Sequence, residues 1–119
     1  TTPAPRDAPP AARVSLPRGT LHDELWLLRQ NPDHYAIQAL AISSEAAARG
    51  FYAQHAQGLQ AAIARTQHQD QRWYVLVFGV YAEAPRARQA IASLPAPVRD
   101  NGPFVRRIGD LQEAILTVR

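Results

Sequence analysis

Few residues in this 119-residue chain have the means for covalent or proton-transfer chemistry. There is no cysteine, which excludes disulfides, thiolate nucleophiles and cysteine-type zinc sites. The four histidines (His22, His34, His55 and His68) show no metal-ligand spacing. Glu45 and Glu83 stand at predicted helix starts, where capping and the helix dipole account for them. No carboxylate pair points to glycosidase work, and there is neither a nucleophile elbow nor a glycine-rich phosphate loop. The chain therefore reads as a non-enzyme with no metal and no cofactor. What remains is binding chemistry: flat aromatic rings, amides, and thirteen basic residues that are all arginine. Arginine offers planar, bidentate donors to carboxylates and phosphates.

The stretch that could carry such chemistry is Arg72-Trp73-Tyr74-Val75-Leu76-Val77-Phe78-Gly79-Val80-Tyr81. Most of these residues are aromatic or β-branched, types that suit a pleated, half-buried surface. Alternation puts Tyr74, Leu76 and Phe78 on one face and Trp73, Val75 and Val77 on the other. Both faces are apolar. Either this is a central strand covered on both sides, or one side is kept apolar to receive a ligand. Gly79 permits a bend or a close backbone approach.

The rest of the chain must position that strand. The length predicts one domain with a small core. The formal charge of +3 is modest and the arginines are scattered, a weak footprint for nucleic acid. No apolar run approaches the ~20 residues of a membrane span, so no membrane contact by this segment is expected. Residues 1–19, rich in Pro and Ala, read as a linker without structure, and residues 20–119 as the domain.

Within the domain, Thr20 is a candidate cap for a helix over 20–30, with Leu21, Leu25 and Leu28 on one face and Asn31-Pro32 as its stop. Residues 35–42 read as a strand in which Ala36, Gln38 and Leu40 share a face. Ser43-Ser44-Glu45 starts a helix running to about Gln57, with Gly58 as its stop. Residues 59–67 are predicted as a strand, 67–71 as a polar hairpin loop and 83–94 as a helix ended by Pro95-Ala96-Pro97. A strand over 104–108 and an amphipathic helix over 110–118 close the chain. The middle is the ferredoxin/RNP-like split βαβ pattern, βαββαβ. This is an α+β fold with a four-stranded antiparallel sheet and two helices on one face, plus extra N- and C-terminal helices. Tyr74, Leu76 and Phe78 suit the helix side, which leaves Trp73, Val75 and Val77 on an open face.

Four strings in order, Tyr35-Ala36-Ile37-Gln38-Ala39-Leu40, Trp73 to Tyr81, Leu94-Pro95 and Pro103-Phe104-Val105-Arg106, resemble a SPOR domain. The likeness covers about residues 20–115 and is closest to the SPOR domains that end certain cell-division proteins. It implies a bacterial, periplasm-facing module, tethered to the inner membrane by a segment not present here and placed at the division septum. It further implies non-catalytic binding of peptidoglycan glycan strands stripped of their stem peptides, with other division proteins as further partners and the domain itself a monomer. By the resemblance, the ligand contacts fall on Gln38, Trp73 and Phe104. Where relatives carry a serine this chain has Ala41, and where the nearest ones have Trp it has Phe104.

The chemistry of a sugar fits these residue types. An indole such as Trp73 can stack on the C–H face of a pyranose, and the Gln38 amide can donate and accept at once. Val75, Val77 and Leu40 would form a dry floor between them, with Phe104 as a second platform. Arg72 and Arg106 are candidates to meet the lactyl carboxylates freed when stems are removed. A bulky stem would clash with the sheet. Two rivals stay open. An RRM-like RNA-binding module shares the topology, although the third strand lacks its Gly-aromatic signature and nucleic acid is not expected. A protein–protein module would use the Trp73 face to dock a partner helix.

Overall fold

Apolar side chains on both faces of one strand require cover on both faces, and the computed structural model, which describes residues 16–117, supplies it. The elements run β1 (Leu21–His22), α1 (Glu24–Leu28), β2 (Tyr35–Ile42), α2 (Glu45–His55), β3 (Ala61–His68) and β4 (Gln71–Tyr81). They continue with α3 (Ala84–Ile91), α4 (Ala96–Arg99), β5 (Phe104–Arg107) and α5 (Ile108–Leu116). The sheet order is β1-β3-β4-β2-β5. β4 pairs antiparallel with β3 and β2, and β2 antiparallel with β5, which is the expected βαββαβ core. α2, α3 and α4 cover one face: Ala48, Tyr52, Ala87, Ala90, Leu94 and Val98 pack on Ile37, Ile63, Leu76 and Phe78.

The second face is mostly covered as well, contrary to the open face expected from the sequence. α1 and α5 bring Leu27, Ile108, Leu111 and Ile115 onto Ala36, Ala62, Ala64, Val75 and Val77. Small side chains at Ala36, Ala62 and Ala64 let the two helices approach the sheet closely, and Val75 and Val77 are left 2% and 1% exposed. The terminal helices are thus a second layer of the core.

The N-terminal part departs from expectation in register. Thr20 does not cap a helix; its carbonyl accepts from the Ala61 amide at 3.2 Å, and Leu21 and His22 pair parallel with Ala61 and Ala62 as a fifth strand. Asp23 is the cap instead, its Oδ1 accepting from the Trp26 amide at 3.2 Å. With the later start Leu21 belongs to the strand, and the helix buries Leu27 while Leu25 is 56% exposed. The folded unit also includes the last residues assigned to the linker. Gly19 N donates to Gly58 O at 3.0 Å, and Gln60 N donates to Pro17 O at 2.9 Å. Residues 1–15 of the expected linker lie outside the described residues.

Other elements form where local chemistry asks for them. Ser44 Oγ accepts from the Ala47 amide at 3.1 Å to start α2, and Gly58, at φ +95°, follows its end. The β3–β4 hairpin is tighter than the predicted loop. Gln69 and Asp70, at φ 53° and 65°, make a two-residue turn of the kind that matches strand twist. α4, a single turn after Pro95, has no counterpart in the sequence prediction.

Two irregularities shape the β2–β4 ladder. Between Ile37 and Tyr35 on β2 the partners on β4 step from Phe78 to Tyr81, so β4 carries an extra residue. Gly79 sits there at φ +69°, and a Cβ on it would lie 2.7 Å from the Tyr81 ring. Between Gln38 and Leu40 the partners step only from Val77 to Leu76, so β2 carries the extra residue, Ala39. At the far edge, β3 runs on beyond its short partner β1. The Glu24 carboxylate closes that gap, accepting from the Arg65 amide at 3.3 Å and from the Arg65 guanidinium at 3.0 Å. The Arg65 side-chain bonds hold the Glu24 carboxyl below its ordinary pKa, against the opposing effect of burial.

Gly79→Ala should lower unfolding stability by about 1–3 kcal/mol, the cost of a left-handed non-glycine residue. Gly50→Ala, on an open face of α2 with nothing within 4 Å, should raise it by about 0.5–1 kcal/mol in the same urea titration. For Glu24 the folded pKa is depressed, so its contribution is present above the unfolded value near 4.5 and is lost as pH falls through the folded one. Urea midpoints of wild type and Glu24→Gln should therefore differ at pH 7 and converge toward pH 3.

Candidate functional site

The cover on the second face stops short of the hairpin. α5 ends at Leu116, and Trp73, two residues before the buried Val75, stays half-buried at the margin. Here a groove of ≈ 460 Å³ opens between the sheet and the side of α5. Its floor is Val75 with Ala41, which are direct partners across the β4–β2 ladder. On one side stand Trp73 and its cross-strand partner Thr66, whose hydroxyl donates to the Trp73 carbonyl at 3.4 Å. On the other stand Phe104 and Arg106, on alternate positions of β5 and so on the same face. Gln38 lies between, paired with Val77 on one side and Phe104 on the other, and Ala114 of α5 closes the remaining wall. Two strand spacings across and about four residues along put Trp73 and Phe104 roughly 16 Å apart.

The polar groups of this groove are few and oriented. Gln38 is 8% exposed, and its Oε1 accepts from Arg106 Nη1 at 2.8 Å. A guanidinium has only donors, so this bond fixes the amide with its NH2 group turned away from Arg106. That NH2 and the Trp73 indole N–H make no hydrogen bond among the described residues. Arg106 is half-buried and, among the described residues, is the one charged residue lining the groove. It has no ion-pair partner among the described residues. Burial lowers its pKa from the usual guanidinium value, with the more distant Asp110 opposing; the group stays cationic at any physiological pH. Phe104 is 51% exposed, a large apolar ring presented to solvent on an edge strand.

The structure thus brings Gln38, Ala41, Trp73, Val75, Phe104 and Arg106 together as expected. Leu40 and Arg72 are corrections. The extra residue at Ala39 shifts the alternation of β2, so Leu40 pairs with Leu76 and packs in the core under α2 and α3, while Ala41 faces the groove. Arg72 precedes Trp73 and alternates to the opposite side of β4; it does not line the groove, and its charge acts on Glu24. Val77, expected in the floor, lies under the second helical layer. Thr66, Gln67 and Ala114 line the groove without having been singled out. Thr66 follows from the tight hairpin register, which the Gln69-Asp70 turn does not advertise, and Ala114 from the docking of α5. A second cleft, on the other side of the sheet, is lined by Glu24, Arg65, Glu45 and Arg49, whose charges satisfy one another pairwise.

Comparison with known proteins finds a matching family model and a curated relative. The SPOR domain family model matches residues 31–107, from just before β2 to the end of β5. The cell division protein DamX of Serratia marcescens is 36% identical over 80 residues, covering 67% of this chain and 37% of that protein. The chain therefore spans little more than a third of the length of this curated relative. β1, α1 and α5 lie outside the stretch the family model matches.

The bulge makes neighbouring residues behave differently. Leu40→Ala should cost about 1–2 kcal/mol in thermal or urea unfolding, as a partly buried core truncation. Ala41→Ser, one residue on, should stay within about 0.5 kcal/mol of wild type.

Proposed function

The chain belongs to the SPOR domain family, and from that premise we propose that its groove binds peptidoglycan glycan strands that have lost their stem peptides. The convergence of Trp73, Gln38, Phe104 and Arg106 in one open groove carries this reading. Trp73 and Phe104 offer two flat apolar surfaces for the C–H faces of separate sugars along one strand. Between them the free NH2 of Gln38 donates to a ring substituent such as a hydroxyl or an N-acetyl carbonyl. Ala41 keeps the middle of the groove unobstructed, so a strand can lie across β4, β2 and β5. Among the described residues, no Asp, Glu or His lines the groove. The proposed activity is therefore binding alone, without catalysis.

The likeness to a cell division protein supports a role at the bacterial division septum. There the domain would bring a larger, inner-membrane-anchored protein to newly processed wall in the periplasm, as a monomeric glycan-binding module. Other division proteins would meet parts of that protein outside this chain. The RNA reading loses its ground. The sheet positions that would stack bases are occupied by Val75 and Val77 under α1 and α5, and among the described residues the groove holds a single cation.

Co-sedimentation of the domain with purified sacculi, with and without prior amidase removal of stem peptides, tests the proposal. Enrichment on treated sacculi is expected. Trp73→Ala should weaken it by about tenfold or more, the loss of one aromatic platform. Equal, weak sedimentation with both would overturn the glycan reading.

A further inference from the structure

We propose that Arg106, held in place by Gln38, reads the free lactyl carboxylate of a muramic acid residue, so that denuded strands are selected by charge. This rests on the glycan reading above and names what distinguishes one strand from another in that groove. The observations are specific to this pair. Among the described residues, Arg106 is the one charged residue in the groove and has no acidic partner. Its Nη1 is committed to Gln38 Oε1 at 2.8 Å. That bond orients the plane of the guanidinium and leaves its remaining donors for a ligand. Gln38, almost fully buried, cannot easily swing away. A half-buried cation with no counter-charge is an unfavourable element of the free fold, and an anion seated beside it relieves that cost.

The chemistry of the wall supplies an anion in one state only. In a strand that carries stems, the lactyl carbonyl is part of an amide and has no charge. Amidase cleavage of that bond consumes water, frees the peptide amine and leaves a carboxylate on the sugar. A carboxylate accepts two parallel N–H bonds from a guanidinium, whereas an amide carbonyl accepts without charge assistance and leaves the cation uncompensated. Steric rejection of the stem, expected from the sequence, thus acts beside a positive signal. Arg72, the other arginine considered from the sequence, is on the wrong side of β4 for this role.

The decisive comparison uses one protein and two ligands: soluble amidase-denuded strands, and the same strands with their lactyl carboxyls converted to methylamides. Calorimetric titration of the wild-type domain should give about tenfold tighter binding to the free carboxylate form, ~1.4 kcal/mol. That ratio should fall to near one in Arg106→Gln and be partly retained in Arg106→Lys. It should also fall in Gln38→Glu, in which a carboxylate of the protein itself neutralises the guanidinium. The ratio is read within each protein, so a general loss of affinity in a variant does not obscure it. Equal binding of both ligands by wild type would overturn charge selection and leave glycan binding standing. Binding of neither ligand would overturn the glycan reading and this inference with it.

Discussion

Every other contact in this domain depends on how β2 and β4 pair. The two strands come from opposite halves of the split βαβ unit and lie at the middle of the sheet, so their register determines which side chains face each helical layer. Two extra residues interrupt that register, one on each strand. At Gly79 the interruption keeps both Phe78 and Tyr81 in the core beneath α2 and α3. At Ala39 it sends Leu40 to that same core and turns Ala41 outward. Without the second bulge a leucine would occupy the middle of the groove. Strict alternation would fill the groove with a bulky apolar side chain; the bulge leaves it open.

The central strand resolves the choice its sequence poses by doing both things in different places. Over Val75 and Val77 it is covered on both faces, and at Trp73 it emerges from cover. The length of α5 sets the boundary. A longer helix lying on the same line would run over Trp73, and a shorter one would uncover Val75. The region of family likeness stops at β5, so in this chain the element that delimits the groove lies beyond the matched core.

Much of this was legible beforehand because it depends on local chemistry. The strand at Tyr35–Ile42 and the capped helix after Ser44 declare themselves by alternation and by a side-chain cap. So does the aromatic strand through Tyr81, and the broad topology follows from their order. Three candidate contacts (Gln38, Trp73 and Phe104) were placed by likeness to relatives and Arg106 by its chemistry, and the four converge in space. What was not legible depends on tertiary contact. Thr20 and His22 carry no signal for pairing with β3; they form a strand because the Ala61 edge needs partners. Ala39 looks like its neighbours, and only the ladder on either side makes it the extra residue. The covering of Val75 by α5 depends on three small alanines that individually say nothing about sheet or helix.

The way the chain joins the sheet has a mechanical consequence. Leu16–Gly19 meets the fold beside Gly58–Gln60, at the starting end of β3, and Leu21–His22 then runs parallel to that strand. Trp73 lies opposite Thr66, near the other end of β3 and roughly 20 Å further along it. When the groove is occupied and the upstream chain is pulled, load passes lengthwise along β3. The bonds from Gly19, Gln60 and Ala61 that secure the first strand are then strained together, in shear. A hairpin attached at that edge in the antiparallel sense, with its tail near Trp73, would instead be unzipped bond by bond. The parallel first strand therefore takes a load from the upstream side in the geometry in which its bonds share it.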